Sequence, residues 1–334
     1  MGANVKRSLI SMAAVVTGLH VVGFGGLLML SGPHALTLGA GVLAYSLGLR
    51  HAIDPDHVAA IDNVTRSLNA RPTESDRRPW SVGFWFSLGH ASVVFVLVAL
   101  LAVGIRSVAG QIGTDDSGLH RVTGVIGPSV SGIFLWALGL ANIAAIVGIV
   151  RIFRAMRRGG FDDGELEHQL ASRGLLNRIL RPVTRAVGKP WHMYPIGFLF
   201  GLGFDTATEI GLLALAGGSA ALELPFYAIL VLPVLFAAGM SLVDSVDGAV
   251  TNAAYDWALA RPIRRVYYSL AVTSVSVLLA LVIGTIQLLD AAGVRTISID
   301  NLGIAVLSIL ALAWAGAAGI WRFGHIEQRW AHAP

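Results

Sequence analysis

Cysteine is absent from the 334 residues, so the chain has no disulfide bonds and no metal site built from thiolates. Charged residues make up 13% of the chain, about half of their share in a typical soluble domain, while 55% of the residues are hydrophobic. The sequence also lacks the G-x-x-x-x-G-K-[S/T] phosphate loop and the H-E-x-x-H motif of zinc proteases. The composition therefore excludes a soluble domain, and the missing motifs argue against ATP-driven transport and metalloproteolysis.

Long apolar runs predict an all-α integral membrane protein. A transmembrane helix needs about 20 mostly apolar residues. The first run, which follows Lys6 and Arg7 and extends to about Leu30, is too long for a signal peptide and has no clear cleavage site, so it is interpreted as a membrane span. Eight spans are predicted, over residues 8–30, 36–62, 81–105, 123–150, 192–218, 224–251, 266–289 and 301–321.

The distribution of basic residues predicts the orientation of these spans. If the N-terminus lies in the cytoplasm, the loops on that side carry 20 of the 24 lysine and arginine residues. This agrees with the positive-inside rule and predicts that both termini are cytoplasmic. The bias also accounts for the isoelectric point near 9.8 without a nucleic-acid partner.

One long basic loop divides the chain into two halves. Residues 1–150 contain spans 1–4, residues 151–190 form the loop, and residues 191–334 contain spans 5–8. In the loop, Leu166, Leu170 and Ile179 recur near helical spacing with arginines between them. This pattern predicts an amphipathic cytoplasmic segment that lies against membrane lipid, and the simplest interpretation is a linker helix.

The second span contains the most informative segment, RHAIDPDHVAAIDN at residues 50–63. Aspartate or arginine at a helix centre costs about 2.5–3.5 kcal/mol on membrane-insertion scales. Arg50, Asp54 and Asp56 therefore exclude a lipid-facing position and predict a protected polar cavity. A buried ion-pair network, with Arg50 and the histidines neutralising the aspartates, is the structural alternative.

Helical spacing places His51, Asp54 and His57 on one side of this span, while Asp56 points elsewhere in an ideal helix. Pro55 predicts a kink or break, which could rotate Asp56 inward. Imidazole and carboxylate groups together suit a borderline divalent cation such as nickel, cobalt or zinc. We therefore interpret His51, Asp54, Asp56 and His57 as a candidate metal site.

Three other spans add polar residues to this path. The third span carries His90, although a lone histidine within a membrane is often only a packing residue. Paired carboxylates in a membrane require a cation, a proton or a partner residue. Such pairs are Asp205 and Glu209 in the fifth span and Asp244 and Asp247 in the sixth span. Residues interpreted as peripheral are His20, Asp62 and Asn142.

Four segments resemble, in chain order, the signature segments of the nickel/cobalt transporter family. They are RHAIDPDHVAAIDN, LGHASVV, GLGFDTATEIGLL and LFAAGMSLVDSVDG, and the first holds the family's H-x-x-x-x-D-H motif. Pro55 stands where the family more usually has alanine, and Ala91-Ser92 stands where Ser-Thr is commoner. The resemblance implies eight spans and high-affinity uptake of Ni²⁺ or Co²⁺. The metal-handling residues that it implies are His51, Asp56 and His57, supported by His90, Asp205, Glu209, Asp244 and Asp247.

The predicted function is a secondary permease that takes up Ni²⁺ and/or Co²⁺ across the cytoplasmic (inner) membrane. The ion is its substrate, and no cofactor or ATPase subunit is expected. Two alternatives stay open from the residues: efflux of the same metals, and a membrane acyltransferase. The acyltransferase motif H-x-x-x-x-D fits His51 and Asp56, with the histidine as general base.

Overall fold

The computed structural model describes residues 3–30, 38–69, 79–102, 118–159, 187–203, 207–221, 224–259, 262–294 and 302–323. Across these residues the chain is helical and forms no β-strand. A short 3-10 helix, Pro190–His192, precedes the sixth α-helix. The α-helices are α1 Ala3–Leu30, α2 Leu38–His51, α3 Pro55–Asn69, α4 Val82–Ala102, α5 Gly118–Gly159, α6 Met193–Phe200, α7 Ala207–Ala221, α8 Phe226–Ile229, α9 Val231–Leu259, α10 Pro262–Ala291 and α11 Gly303–Phe323.

Six stretches of these helices are long and apolar enough to cross a membrane. Large apolar side chains face outward on them: Met29 is 86% exposed and Leu312 is 69% exposed. A surface of this kind fits lipid rather than water. The prediction of an all-helical, multi-pass membrane protein is therefore confirmed. The six stretches are Val5–Leu30, Val82–Ala102, Val125–Ala144, Phe226–Tyr255, Leu270–Ala291 and Gly303–Phe323.

The second and fifth predicted spans are each divided into two shorter helices. The second span consists of α2 and α3, and the fifth consists of α6 and α7. Their lengths of 14, 15, 8 and 15 residues are each below what one span needs. The division beside Pro55 matches the prediction, whereas the fifth span, predicted as one helix, is interrupted after Phe200.

The dipeptide Asp54-Pro55 explains the first break. At the end of α2, the Ile53 and Asp54 amides donate to carbonyls only three residues back, at 3.1 and 2.9 Å. Pro55 has no amide hydrogen, which suits it to the first position of a new helix. The Asp54 carbonyl accepts from the Val58 amide at 3.2 Å, so Asp54 is the residue that caps α3.

Glycines explain the second break. The amides of Leu202 and Gly203 donate to carbonyls three residues back, at 3.3 and 3.1 Å, which tightens the end of α6. Gly203 lies against Gly127 of α5 so closely that a side chain on either residue would collide with the other backbone. The interrupted span therefore packs directly on α5.

Helix packing forms two apolar clusters that meet at the first break. One cluster joins α1, α2, α4, α7 and α9 around residues such as Leu212 and Phe236. The other joins α3 to α6, α10 and α11 around residues such as Phe86. Ala52 belongs to the first cluster and Val58 to the second, so the segment between them lies at their boundary.

Two predicted features fall wholly or partly outside the described residues. Residues 160–186, which contain most of the predicted amphipathic loop, are among them, and so is Asp205. Both stay predictions. The fourth span continues as α5 to Gly159, past the predicted boundary at residue 150.

Candidate metal site

Three buried histidines meet at the boundary between the two apolar clusters. His51 ends α2, His57 lies in the first turn of α3, and His90 lies on α4. Each can offer a ring nitrogen such that all three nitrogens are within 4.8 Å of one another. Their ring centroids are 4.6 to 4.9 Å apart. We refer to these residues as the histidine cluster.

The sequence around His90 allows the interrupted fifth span to approach it. Gly89 lies against the backbone carbonyl of Tyr194, which belongs to α6. A side-chain carbon on Gly201 would come within 2.9 Å of the His90 carbonyl oxygen. Glycine at both positions therefore brings α4 and the end of α6 into backbone contact, next to the point where α7 begins.

Two buried carboxylates from other helices face the histidine cluster. Glu209, in the first turn of α7, places Oε1 2.6 Å from His90 Nε2 and 3.7 Å from His51 Nε2. Asp244 of α9 places Oδ2 3.8 Å from His57 Nδ1. Carboxylate oxygens thus lie beside the ring nitrogens of the cluster.

Several atoms of this site have no hydrogen-bond partner within the described structure. They include Nδ1 of His57, Nδ1 of His90 and both carboxylate oxygens of Asp244. Unpaired polar atoms in a buried position are costly, and each needs a stated reason. His57 Nδ1 and Asp244 Oδ2 lie 3.8 Å apart, too far for a hydrogen bond but close enough to share a cation.

The spacing of the nitrogens also suits a transition-metal ion. Two nitrogens that bind one ion at about 2.1 Å lie about 3.0–4.2 Å apart, depending on the angle between them. His51 Nε2 and His90 Nε2 are 3.0 Å apart, and the full set lies within 4.8 Å. Because 4.8 Å exceeds the upper limit of about 4.2 Å, a common ion would require the rings to move closer together. A mixed nitrogen and oxygen set is what borderline divalent metals prefer.

Asp54 fixes the orientation of His51. Its Oδ2 accepts a hydrogen bond from His51 Nδ1 at 2.8 Å, and its Oδ1 accepts one from Arg50 Nη1 at 2.6 Å. With the proton on Nδ1, the lone pair of His51 Nε2 points toward His90. Arg50 and His51 thus both pair with Asp54, and His57 Nδ1 lies within ion-pair distance of Asp244, as the ion-pair alternative expects.

Asp56 points away from the histidine cluster. Its Oδ1 accepts from the His57 amide at 3.0 Å. Its Oδ2 accepts from Ser131 Oγ at 3.2 Å and from Gln287 Nε2 at 3.5 Å, on α5 and α10. The break does not turn Asp56 inward here, so its place among the ligands stays a prediction. The pair of His51 and Asp56 that an acyltransferase would need is also not formed, because His51 bonds to Asp54.

The chain matches the model of the high-affinity nickel-transport protein family, NicO, over residues 37–326. It belongs to this family. It is 48% identical to the nickel transporter NicT of Mycobacterium tuberculosis, across 97% of this chain and 91% of that protein. It is 40% identical to the nickel transporter NixA of Staphylococcus aureus, across 98% of both chains. The cobalt transport protein NhlF of Rhodococcus rhodochrous is 36% identical, across 96% of this chain and 94% of that protein.

No solved structure matches the chain. The predicted family is confirmed, and membership of the NicO family makes the protein a transporter rather than an enzyme.

Three further residues of this NicO family member lie around the site, and the sequence analysis did not predict them. Thr208 places Oγ1 3.0 Å from His51 Nδ1. Phe86 and Phe236 flank His57 and His51, with ring centroids 4.7 and 5.5 Å away. Thr208 could have been found from the sequence, because it lies directly before Glu209 in a segment already rich in polar residues.

The three residues interpreted as peripheral each contact a neighbouring polar side chain. His20 bonds to Tyr45 at 3.2 Å, between α1 and α2. Asn142 donates to Asn63 at 2.8 Å, and Asp62 pairs with Arg66 on α3. Asp247, one turn beyond Asp244, has a buried oxygen without a partner and interacts electrostatically with Asp62 and Asp244.

Replacement of Asp54 by asparagine is expected to weaken binding of Ni²⁺ or Co²⁺ by about 10- to 100-fold, the usual loss when a partner of a metal ligand is changed. The amide would no longer hold the proton on His51 Nδ1 as a carboxylate does. Equilibrium binding to the purified protein measures this effect. Asp290→Asn is the matched control, since Asp290 is exposed at the end of α10. Equal affinities of Asp54→Asn and the control would contradict the orienting role.

Proposed function

We propose that this protein is a permease that takes up Ni²⁺ and/or Co²⁺ across the cytoplasmic (inner) membrane. The functions of its relatives support both ions, since NicT and NixA are nickel transporters and NhlF is a cobalt transport protein. The observation that carries the proposal is the histidine cluster, in which three helices bring buried imidazoles within reach of one ion. Zinc remains compatible with this ligand set, so the choice of metal depends on the experiment below.

The proposed ligands fall into three groups. Nitrogen ligands come from the histidine cluster, and the closest oxygen ligands come from Glu209 and Asp244. Asp54 orients His51. The residues proposed to handle the ion before or after this site are Asp56, Asp205 and Asp247.

Binding is expected to release protons, because imidazole must be neutral to bind a metal. His90 Nε2 and Glu209 Oε1 are 2.6 Å apart, a distance that requires a proton between them when no metal is bound. An ion that takes both atoms as ligands displaces this proton.

The proposed topology has eight spans, with both termini and the basic loop of residues 151–190 in the cytoplasm. Six continuous helices and the two interrupted spans make up this number, and the distribution of lysine and arginine supports the orientation. In this orientation α3 and α9 both run toward the cytoplasm. The membrane potential then favours inward movement of the cation, by about 2.3 kcal/mol per charge for each 100 mV.

Accumulation of radiolabelled nickel and cobalt in cells tests this function. Cells that express the chain should gain metal relative to an empty vector, and His57→Ala should abolish the gain because it removes a ligand. His192→Ala is the matched control, since His192 lies in the 3-10 helix before α6 and is not a member of the histidine cluster. Membrane content of each variant is measured in parallel.

The outcomes are distinct. Metal gain that His57→Ala abolishes and His192→Ala preserves supports uptake through the histidine cluster, and it gives the preferred ion. Loss of metal relative to the vector would show efflux instead. An unchanged metal content, with the protein present in the membrane, would reject both ions as substrates and make zinc the next ion to test.

A further inference from the structure

A second set of buried charges lies on α3 beyond the histidine cluster. Arg66 donates from Nη2 to Asp62 Oδ2, and the two residues are 5% and 3% exposed. Burial of an ion pair costs free energy that its own attraction repays only when the remaining hydrogen bonds are also made. Here Nε and Nη1 of Arg66 have no hydrogen-bond partner in the described structure. The pair is therefore poorly explained as a stabilising element alone.

A line of carboxylates connects this pair to the metal site. Asp244 lies 3.8 Å from His57, and Asp247 follows one turn later on α9. Gly248, the residue after Asp247, faces Ile61, the residue before Asp62, because a side-chain carbon on Gly248 would lie 3.6 Å from Ile61 Cγ2. The line from His57 thus runs through Asp244 and Asp247 to Asp62. Arg66 is nine residues after His57, about 13.5 Å further along the helix axis.

Three residues after Arg66, a described contact between α3 and α9 joins two uncharged amides. Asn69 of α3 donates to Asn252 of α9 at 2.9 Å. The Arg66 guanidinium lies over the ring of Tyr255, 5.6 Å from its centroid. Since the contact of Asn69 with Asn252 follows that of His57 with Asp244 along both helices, α3 and α9 run in the same direction. Among the side chains that the structure describes, Arg66 therefore stands at the end of the acidic line, on the side that the proposed topology assigns to the cytoplasm.

We propose that Arg66 is a tethered cation that closes the exit from the metal site. When no metal ion is at Asp247, the guanidinium neutralises Asp62. A divalent ion that moves from Asp244 to Asp247 repels the guanidinium and takes its place beside Asp62, which opens the path. This inference rests on the proposed function, because it assumes that a metal ion leaves through this side.

The charges suit such an exchange. A nearby divalent ion favours the ionised form of carboxylates. Once Asp62, Asp244 and Asp247 are ionised, one guanidinium leaves two negative charges, which one divalent ion balances. Without Arg66, the same carboxylates hold enough negative charge to attract a second divalent ion. Arg66 thereby limits the acidic line to one ion and keeps that ion from being held too tightly to leave.

The number of Ni²⁺ ions bound by the purified protein tests the proposal. The unaltered chain should bind one ion, and Arg66→Gln, which removes the positive charge, should bind two. Arg66→Lys is the matched control: it keeps the charge and should bind one. Asp62→Asn combined with Arg66→Gln removes one carboxylate as well and should return the number to one. A role of Arg66 in folding alone would not change this number in a folded variant.

Two further results keep the proposal open to refutation. If Arg66→Gln is folded and binds only one ion, the proposal is wrong. If Arg66→Gln does not fold, the double variant Asp62→Asn/Arg66→Gln is reconstituted into vesicles loaded with Ni²⁺. Ni²⁺ should leak from these vesicles about tenfold faster than from vesicles with the unaltered chain, a change of about 1.4 kcal/mol. An equal leak would overturn the proposal. Failure of the unaltered chain to bind Ni²⁺ or Co²⁺ would instead reject the proposed function.

Discussion

Replacement of His90 by alanine is expected to lower the affinity of the purified protein for Ni²⁺ by at least about 100-fold, or about 2.7 kcal/mol. His90 Nε2 lies 3.0 Å from His51 Nε2 and 2.6 Å from Glu209 Oε1, so it joins α4 to both interrupted spans. Loss of a group that only orients a ligand costs about 10- to 100-fold, and loss of a ligand should cost more. The buried carboxylate of Glu209 would also lose its partner.

Isothermal titration of the detergent-purified protein measures this affinity. Ser92→Ala is the control on the same helix, because Ser92 bonds to Tyr194 of α6 at 2.9 Å and reports on packing rather than ligation. We expect Ser92→Ala to bind Ni²⁺ within about threefold of the unaltered chain, or about 0.7 kcal/mol. A similar result for His90→Ala would remove His90 from the ligand set and leave it as a packing residue.

Replacement of Gly197 by leucine is expected to abolish correct folding. Gly197 of α6 lies directly against the backbone carbonyl of Phe86 on α4, with no room for a side chain. Helices in membranes associate through small residues that permit such backbone contact. Because the obstructing atom belongs to a helix backbone, it cannot move aside as a flexible side chain would. We expect a destabilisation at or above about 3 kcal/mol, the upper part of the range for added bulk in a packed core.

Size-exclusion profiles of the solubilised protein show whether each variant folds. Gly25→Leu is the matched control, because a side-chain carbon at Gly25 of α1 would meet no atom within 4 Å. We expect a monodisperse peak for Gly25→Leu and aggregation or loss of protein for Gly197→Leu. Two similar peaks would show that α4 and α6 are not held in backbone contact.

The sequence predicts the chemistry of the site because ionisable residues are so costly in a membrane. His51, His57 and His90 lie within spans where hydrogen-bonding water is scarce, so their presence there predicts a protected polar site. The structure brings these three residues together with Glu209 and Asp244. Pro55 predicts the first break for a similarly local reason, since it lacks the amide hydrogen that a continuous helix requires. The roles of these residues as ligands remain to be tested.

Other features depend on contacts that local sequence does not determine. The proline of the fifth span, Pro195, lies in the first turn of α6 rather than at the break. Glycines occur in many continuous membrane helices, so the pattern at Gly201 and Gly203 gives no clear sign of an interruption. The direction of Asp56 depends on how far α3 rotates relative to α2, which its contacts with Ser131 and Gln287 fix. The sequence alone assigns no role to Asp62, because its proposed role depends on its contact with Arg66 and on the nearby carboxylates of α9.

The position of the first break gives the site a mechanical property. His51 ends one helix and His57 lies in the first turn of the next, so the two imidazoles belong to separate rigid arms joined by three residues. The angle between the arms sets the bite of this chelate, meaning the separation of its two nitrogen donors. Opening the angle pulls the donors apart and lowers the affinity without removing a ligand. In the proposed site, affinity and helix geometry would therefore be coupled, because a tilt of either arm changes the separation of the two imidazoles.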